Sequence, residues 1–160
     1  MRNYEHAHLL KFISVDRSEV IEYCKNSNEE SQNIIEFEKV DLFFDDIPKG
    51  DVYFLSRILH DWDDVKALSI LEKLYFEIPM DSKVYVIDRE AEPPNDCSLL
   101  SLHMHLVQGS LERNRSQWNE LFKKSGWIVE SRDLFNDHTI ALLAKKKLKV
   151  GNGKLSTKVS

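Results

Sequence analysis

The chain has 160 residues, of which 42% are hydrophobic, 31% charged and 10% aromatic. That is the size and composition of one globular domain, able to bury roughly 70% of its unfolded surface. Lys+Arg 22 against Asp+Glu 27 gives a net charge of -5, which argues against a nucleic-acid binder held by phosphate contacts. No apolar run approaches the ~18 residues of a membrane span, and the first residues, MRNYEHAHLL, lack the pattern of a signal peptide. Cys24 and Cys97 read as two free thiols in a reducing cytosol, neither a disulfide framework nor a metal cluster. A cytoplasmic protein is the expectation.

Along the chain, strand-like and helix-like apolar patterns alternate. Phe12-Ile13-Ser14-Val15 is a short apolar run closed by Asp16 and reads as a buried strand. Ser18 is placed to cap a helix with Val20, Ile21 and Cys24 on its apolar face. After a polar break from Asn26 to Asn33, residues Ile34 to Val40 alternate loosely, as a more exposed strand does. Pro48-Lys49-Gly50 signals a turn. Asp51 to Leu59 is the most apolar strand candidate. From Asp63 the spacing of Val65, Leu68, Leu71, Tyr75 and Ile78 is helical, and Pro79 stops it.

Val84 to Ile87 predicts a third core strand, followed by the loop Glu92-Pro93-Pro94-Asn95-Asp96. Residues 98 to 108 predict an apolar helix. His103 and His105, two apart, face different directions on it and make no metal pair. Asn114 and Gln117 have the spacing of a capping box for a helix ending near Lys124. Ile128 to Phe135 and Thr139 to Ala144 predict two final strands in antiparallel pairing.

Strands alternating with helices imply a mostly parallel sheet covered on both faces, with ligands at the carboxyl ends of the strands. Asp16, Asp41, His60 and Asp88 each lie at or just past such an end. Carboxylates there form a site or cap helices, and position alone leaves both readings open. The five glycines, Gly50, Gly109, Gly126, Gly151 and Gly153, build neither a G-x-G-x-x-G loop nor a P-loop within these residues.

The segments FISVDRSEVIEY, KVDLFFDDIPKGDVYF, SRILHDWDD, KVYVID, HMHLVQGSLER and IALLAKK follow one another from about Phe12 to Lys147. This ordered series resembles the S-adenosylmethionine-dependent small-molecule O-methyltransferases of plants and animals. Within them it is most similar to acetylserotonin (hydroxyindole) O-methyltransferases and their bacterial relatives. The resemblance implies an α/β fold with a doubly wound, mostly parallel sheet and an antiparallel final strand. Residues 1–147 would then form a partial catalytic domain and residues 148–160 a disordered tail. It implies S-adenosyl-L-methionine as cofactor and a small-molecule hydroxyl as acceptor, with neither nucleic acid nor membrane as partner.

His60, of the His60-Asp61-Trp62 motif, is by resemblance the base that removes the acceptor's proton, flanked by Asp88 and Glu112. Asp16 matches the acidic residue that binds the cofactor ribose, and Asp41, Leu42 and Phe43 match the stretch framing its adenine. Arg57 matches a basic position beside the cofactor. Asp61 and Met104 match acceptor-contacting positions, although a Met on an apolar helix is ordinarily core.

Departures accompany the resemblance. Val40 replaces a usual glycine, the turn Pro79-Met80-Asp81-Ser82 lacks a glycine pair, and Asp88 stands where many relatives carry glutamate. The family's first strand and Gly-rich loop have no counterpart here, nor has the dimerising winged-helix-like domain through which a homodimer would form. These residues therefore read as an incomplete catalytic region, expected to bind S-adenosylmethionine weakly or not at all when isolated. The alternative is a non-catalytic remnant acting as a binding or regulatory module. Without that first strand, the strands at 12–16 and 51–59 must pair directly, leave a gap, or borrow a strand, and a free edge invites self-association.

Overall fold

The computed structural model of the chain describes residues 10–27, 35–91, 113–135 and 138–145. The order of elements is β1 (Phe12–Asp16), α1 (Ser18–Ser27), β2 (Ile35–Lys39), β3 (Val52–Ser56), a single 3-10 turn (Leu59–Asp61), α2 (Asp64–Glu77), β4 (Lys83–Asp88), α3 (Arg115–Lys124), β5 (Trp127–Phe135) and β6 (His138–Lys145). The Pro-rich loop, the helix expected at 98–108 with its two histidines, Cys97 and the tail lie outside the described residues, as do Met104 and Glu112.

The strands form two sheets. β1 and β2 pair in parallel, Phe12 opposite Ile35 through Asp16 opposite Lys39. The second sheet has the order β3-β4-β6-β5, with β3 parallel to β4 and β6 antiparallel to both of its neighbours. Three of its strands thus share one direction and the final strand opposes them, as expected of this α/β class. Of the outcomes foreseen for β1 and β3, the structure adopts the gap. Among the described residues neither bonds the other, and each is an edge.

Burial alternates with the pleat. β4 reads exposed, buried, intermediate, buried, intermediate, buried, and β6 alternates likewise over all eight residues. Leu55, Val84, Val86, Ala141 and Leu143 therefore share one face. On it pack Ala67, Ile70, Leu71 and Leu74 of α2 and Trp118, Leu121 and Phe122 of α3. Each fully buried aliphatic side chain stabilises this core by about 1.5–3 kcal/mol. Among the described residues both of these helices lie on that face. On the other, Phe54 stacks on Tyr85 at 5.2 Å and remains 66% exposed.

Local signals fix the helix ends. The Asp63 side chain accepts from the Lys66 N–H at the start of α2, and both halves of the Asn114–Gln117 capping box are made at the start of α3. Gly126, at φ +84, ends α3 in the left-handed region favoured by glycine. In α1, Ser18 is the first helical residue instead of the cap: the Arg17 carbonyl accepts from the Val20 and Ile21 N–H groups. The strand expected over 51–59 closes at Ser56 because Arg57 turns to φ +54, a conformation no extended strand accommodates.

Two side chains tie distant elements together. Trp127 donates its indole N–H to the Leu71 carbonyl at 2.9 Å. The buried Lys145 ammonium donates to the Ile78 carbonyl at 2.6 Å, and burial lowers its pKa. β5 carries a bulge between Val129 and Ser131, after which Ser131 opposes Leu142 and Arg132 opposes Ala141.

Candidate active site

The carboxyl ends of β3 and β4 bring together His60, Asp61, Arg57 and Asp88. The left-handed Arg57 redirects the chain after β3 while donating its N–H to the Ile87 carbonyl at 2.9 Å. This lets the 3-10 turn lie across the end of β4. Asp88, only 4% exposed, accepts from His60 Nδ1 at 2.9 Å, from the His60 backbone N–H at 3.3 Å and from the Arg89 N–H at 3.0 Å. One carboxylate thus fixes both the ring and the backbone of the histidine. A carboxylate only accepts, so Nδ1 carries a proton and the remaining ring nitrogen, Nε2, is the one that titrates.

Nε2 lies 3.2 Å from Asp61 Oδ1. The ring is therefore held between two carboxylates, one nearly buried and one half exposed. The Asp88 hydrogen bond raises the His60 pKa above its ordinary 6.5; burial opposes this, the Asp88 and Asp61 charges add to it, and the Arg57 charge counters them. His60 is thus a protonatable group whose proton-accepting atom faces partial exposure, with its tautomer set from behind.

The residues expected from the resemblance to hold the cofactor ribose and adenine lie at the ends of β1 and β2. Asp16, exposed at the end of β1, accepts from the Arg17 N–H at 2.7 Å, and its carbonyl accepts from the Val40 N–H at 3.0 Å. Val40 is buried, so the position of the usual glycine here holds a core side chain. Asp41 organises the next turn: its Oδ1 accepts from the Phe43 N–H at 2.8 Å, and its carbonyl accepts from the Phe44 and Asp45 N–H groups. Leu42 and Phe43 pack against the main core, and the Phe43 ring meets Trp62 edge-on at 4.9 Å. The 41–43 stretch is thereby anchored to the His60-Asp61-Trp62 turn.

The chemistry of these side chains fits an adenosyl group. A carboxylate has two acceptor oxygens, so Asp16 can bind a diol without losing its bond to Arg17, and Leu42 and Phe43 supply partly buried apolar surface for a flat heterocycle.

Sequence reasoning passed over Arg113. It is 1% exposed and donates to Asp64, Leu59 and Trp62 from beneath the histidine turn. It also passed over Glu90, whose side chain is 4% exposed and which meets Arg115 at 3.0 Å and also Arg132. The available signal for Arg113 was an arginine immediately before a helix cap, but its partners lie 49 to 54 residues away. Among the described residues no cluster of ligating side chains suits a metal ion, and no helix is long and apolar enough to cross a membrane.

Residues 2–128 match the family model for the O-methyltransferase domain. "O-methyltransferase 7" of Dictyostelium discoideum is 35% identical over 108 residues, covering 65% of this chain and 32% of that protein. The chain therefore spans about a third of the length of this relative. Among solved structures, the mitomycin 7-O-methyltransferase MmcR superposes with a TM-score of 0.78 at 27% identity, covering 86% of this chain and 42% of that one. Human N-acetylserotonin methyltransferase, solved with S-adenosylmethionine, superposes at 0.76 with 28% identity, covering 84% and 40%. A match over most of the sequence, with the same wound sheet beneath it, makes this chain a member of the O-methyltransferase domain family.

Proposed function

We propose that the chain supplies the proton-removing side of an S-adenosylmethionine-dependent O-methyltransferase acting on a hydroxyl of a small aromatic or related acceptor. The observation that carries this reading is the short bond from His60 Nδ1 to the buried Asp88 carboxylate, which leaves Nε2 to act on the acceptor. A phenol has a pKa near 10, and imidazole accepts its proton efficiently only while the oxygen is being alkylated.

When bound, S-adenosylmethionine supplies an electrophilic methyl group; Asp16 would hold its ribose, Asp41, Leu42 and Phe43 would frame its base, and Arg57 would lie alongside. The acceptor hydroxyl donates to Nε2, displacing Asp61, whose carboxylate is half exposed. Once Nε2 holds the proton, Asp88 stabilises the imidazolium, and Asp61 can accept from the Nε2 proton after the product leaves. In the proposed site Asp61 also contacts the acceptor, with Glu112 as a second carboxylate beside the base and Met104 as an acceptor-pocket side chain.

The test is methyl transfer to simple phenols by the protein carrying this sequence, with S-adenosylhomocysteine affinity followed by calorimetry. His60→Ala is expected to lower turnover by about 10²–10⁴ and to leave that affinity unchanged. Unchanged turnover, or equal loss of turnover and affinity, overturns the reading.

A further inference from the structure

The turn that carries His60 is poorly held by its own backbone. Its two closing bonds, Asp61 N–H to Ile58 O and Trp62 N–H to Leu59 O, are both 3.4 Å long, at the weak end of the range, and an isolated 3-10 turn is marginal. The support comes from Arg113. Its Nη1 donates to the Leu59 carbonyl at 2.9 Å and its Nη2 to the Trp62 carbonyl at 2.8 Å, the residues that bracket His60 and Asp61. Its Nε donates to Asp64 Oδ1 at 2.8 Å, and its guanidinium lies 5.2 Å over the Trp118 ring.

The arginine is itself held in place. Its carbonyl accepts from the Ala91 N–H at 3.0 Å, and Trp118 donates its indole N–H to the Arg89 carbonyl at 3.1 Å. The guanidinium is thus fixed to the segment leaving β4, the same strand that ends in Asp88.

We propose that Arg113 is a positioning residue for His60. Its planar fork bridges the carbonyls on either side of the histidine turn and sets the ring against Asp88. The role rests on reading His60 as the base, but the geometry it describes exists with or without an acceptor. Arginine suits it because two carbonyls and a carboxylate must be met at once in a fixed plane while the charge stays over an indole; a lysine ammonium is a single point of charge and cannot span both carbonyls.

The experiment is Arg113→Lys in this 160-residue protein, with circular dichroism to check folding and NMR titration of the His60 ring, assigned by its loss in His60→Ala. A folded Arg113→Lys protein is expected to titrate His60 closer to the ordinary imidazole value, because the bond to Asp88 loosens, and Asp88→Asn should move it the same way. In turnover assays of the active protein, kcat should fall about 10- to 100-fold with acceptor KM little changed. A folded variant with an unaltered His60 titration overturns the proposal even where methyl transfer by the parent is established. Absence of methyl transfer in the parent leaves the NMR result standing by itself and counts against the transferase reading alone. Should Arg113→Lys not fold, Asp64→Asn loosens one anchor from the exposed side: a His60 shift in the same sense supports the role, and none refutes it.

Discussion

The proposed base side and the proposed cofactor side of this molecule are assembled from the same alternation of strand and helix, yet they are held together by different means. Around β3, β4 and β6, Asp88 and His60 rest on a cluster of buried aliphatic and aromatic side chains, with Arg113 bridging the connections. Around β1 and β2, only Ile21 and Val40 are buried among the described residues, and the ion pairs Lys11–Glu36 and Lys39–Glu22 sit at the surface. Exposed pairs contribute about 0–1 kcal/mol, while burial of a single large side chain contributes several times that. The proposed proton-transfer site, on the well-buried core, thus adjoins a lightly packed edge proposed to hold the cofactor. Segments with few buried contacts open locally before the whole domain does, so amides of β1 and β2 should exchange faster than those of β4 and β6.

Substitutions test this division. The largest stability effect is expected for Trp127→Ala, which removes a side chain 3% exposed, its bond to Leu71 and its edge contact with Tyr75. Urea denaturation should show a loss of about 3–5 kcal/mol. A much smaller loss would mean that the main core is not where stability resides.

An intermediate effect concerns pH. Because the folded His60 pKa is raised, its protonated form stabilises the fold at pH below the unfolded value, and that contribution disappears as pH rises through the folded value. Catalysis runs the opposite way, since the base must be neutral. The acid limb of kcat/KM should therefore lie above that of an ordinary imidazole, and Asp61→Asn should move it to lower pH. An unmoved limb would mean that Asp61 does not act on the ring. The smallest change is expected for Lys39→Ala: deleting the ion pair to Glu22 should alter unfolding free energy by no more than about 1 kcal/mol and leave the His60 titration untouched.

Much of this arrangement was legible before any coordinates. The apolar run Val84 to Ile87, the Asn114–Gln117 box and the Pro79 stop are local signals, and each element they mark is present. His60 and Asp88 were identifiable because both fall at strand ends within recognisable motifs, and the fold brings them into contact. Less local features were hidden. The left-handed Arg57 follows from how the chain must cross β4, and no composition signal marks it. Arg113 draws its role from three partners far back in the sequence, so its neighbours Glu112 and Asn114 gave no hint of it. Ser18 had the chemistry of a helix cap, but the chain reached helical geometry one residue early.

Strand side chains alternate sides, so the bulge before Ser131 is what turns Arg132 toward α3, where it bonds Asn119 at 2.7 Å and reaches the Glu90 carboxylate. Were the same residues paired without the bulge, Arg132 would fall on the opposite surface, leaving Glu90 with Arg115 alone. The bulge thereby ties the register of this hairpin arm to the second arginine that meets Glu90, just two residues beyond Asp88.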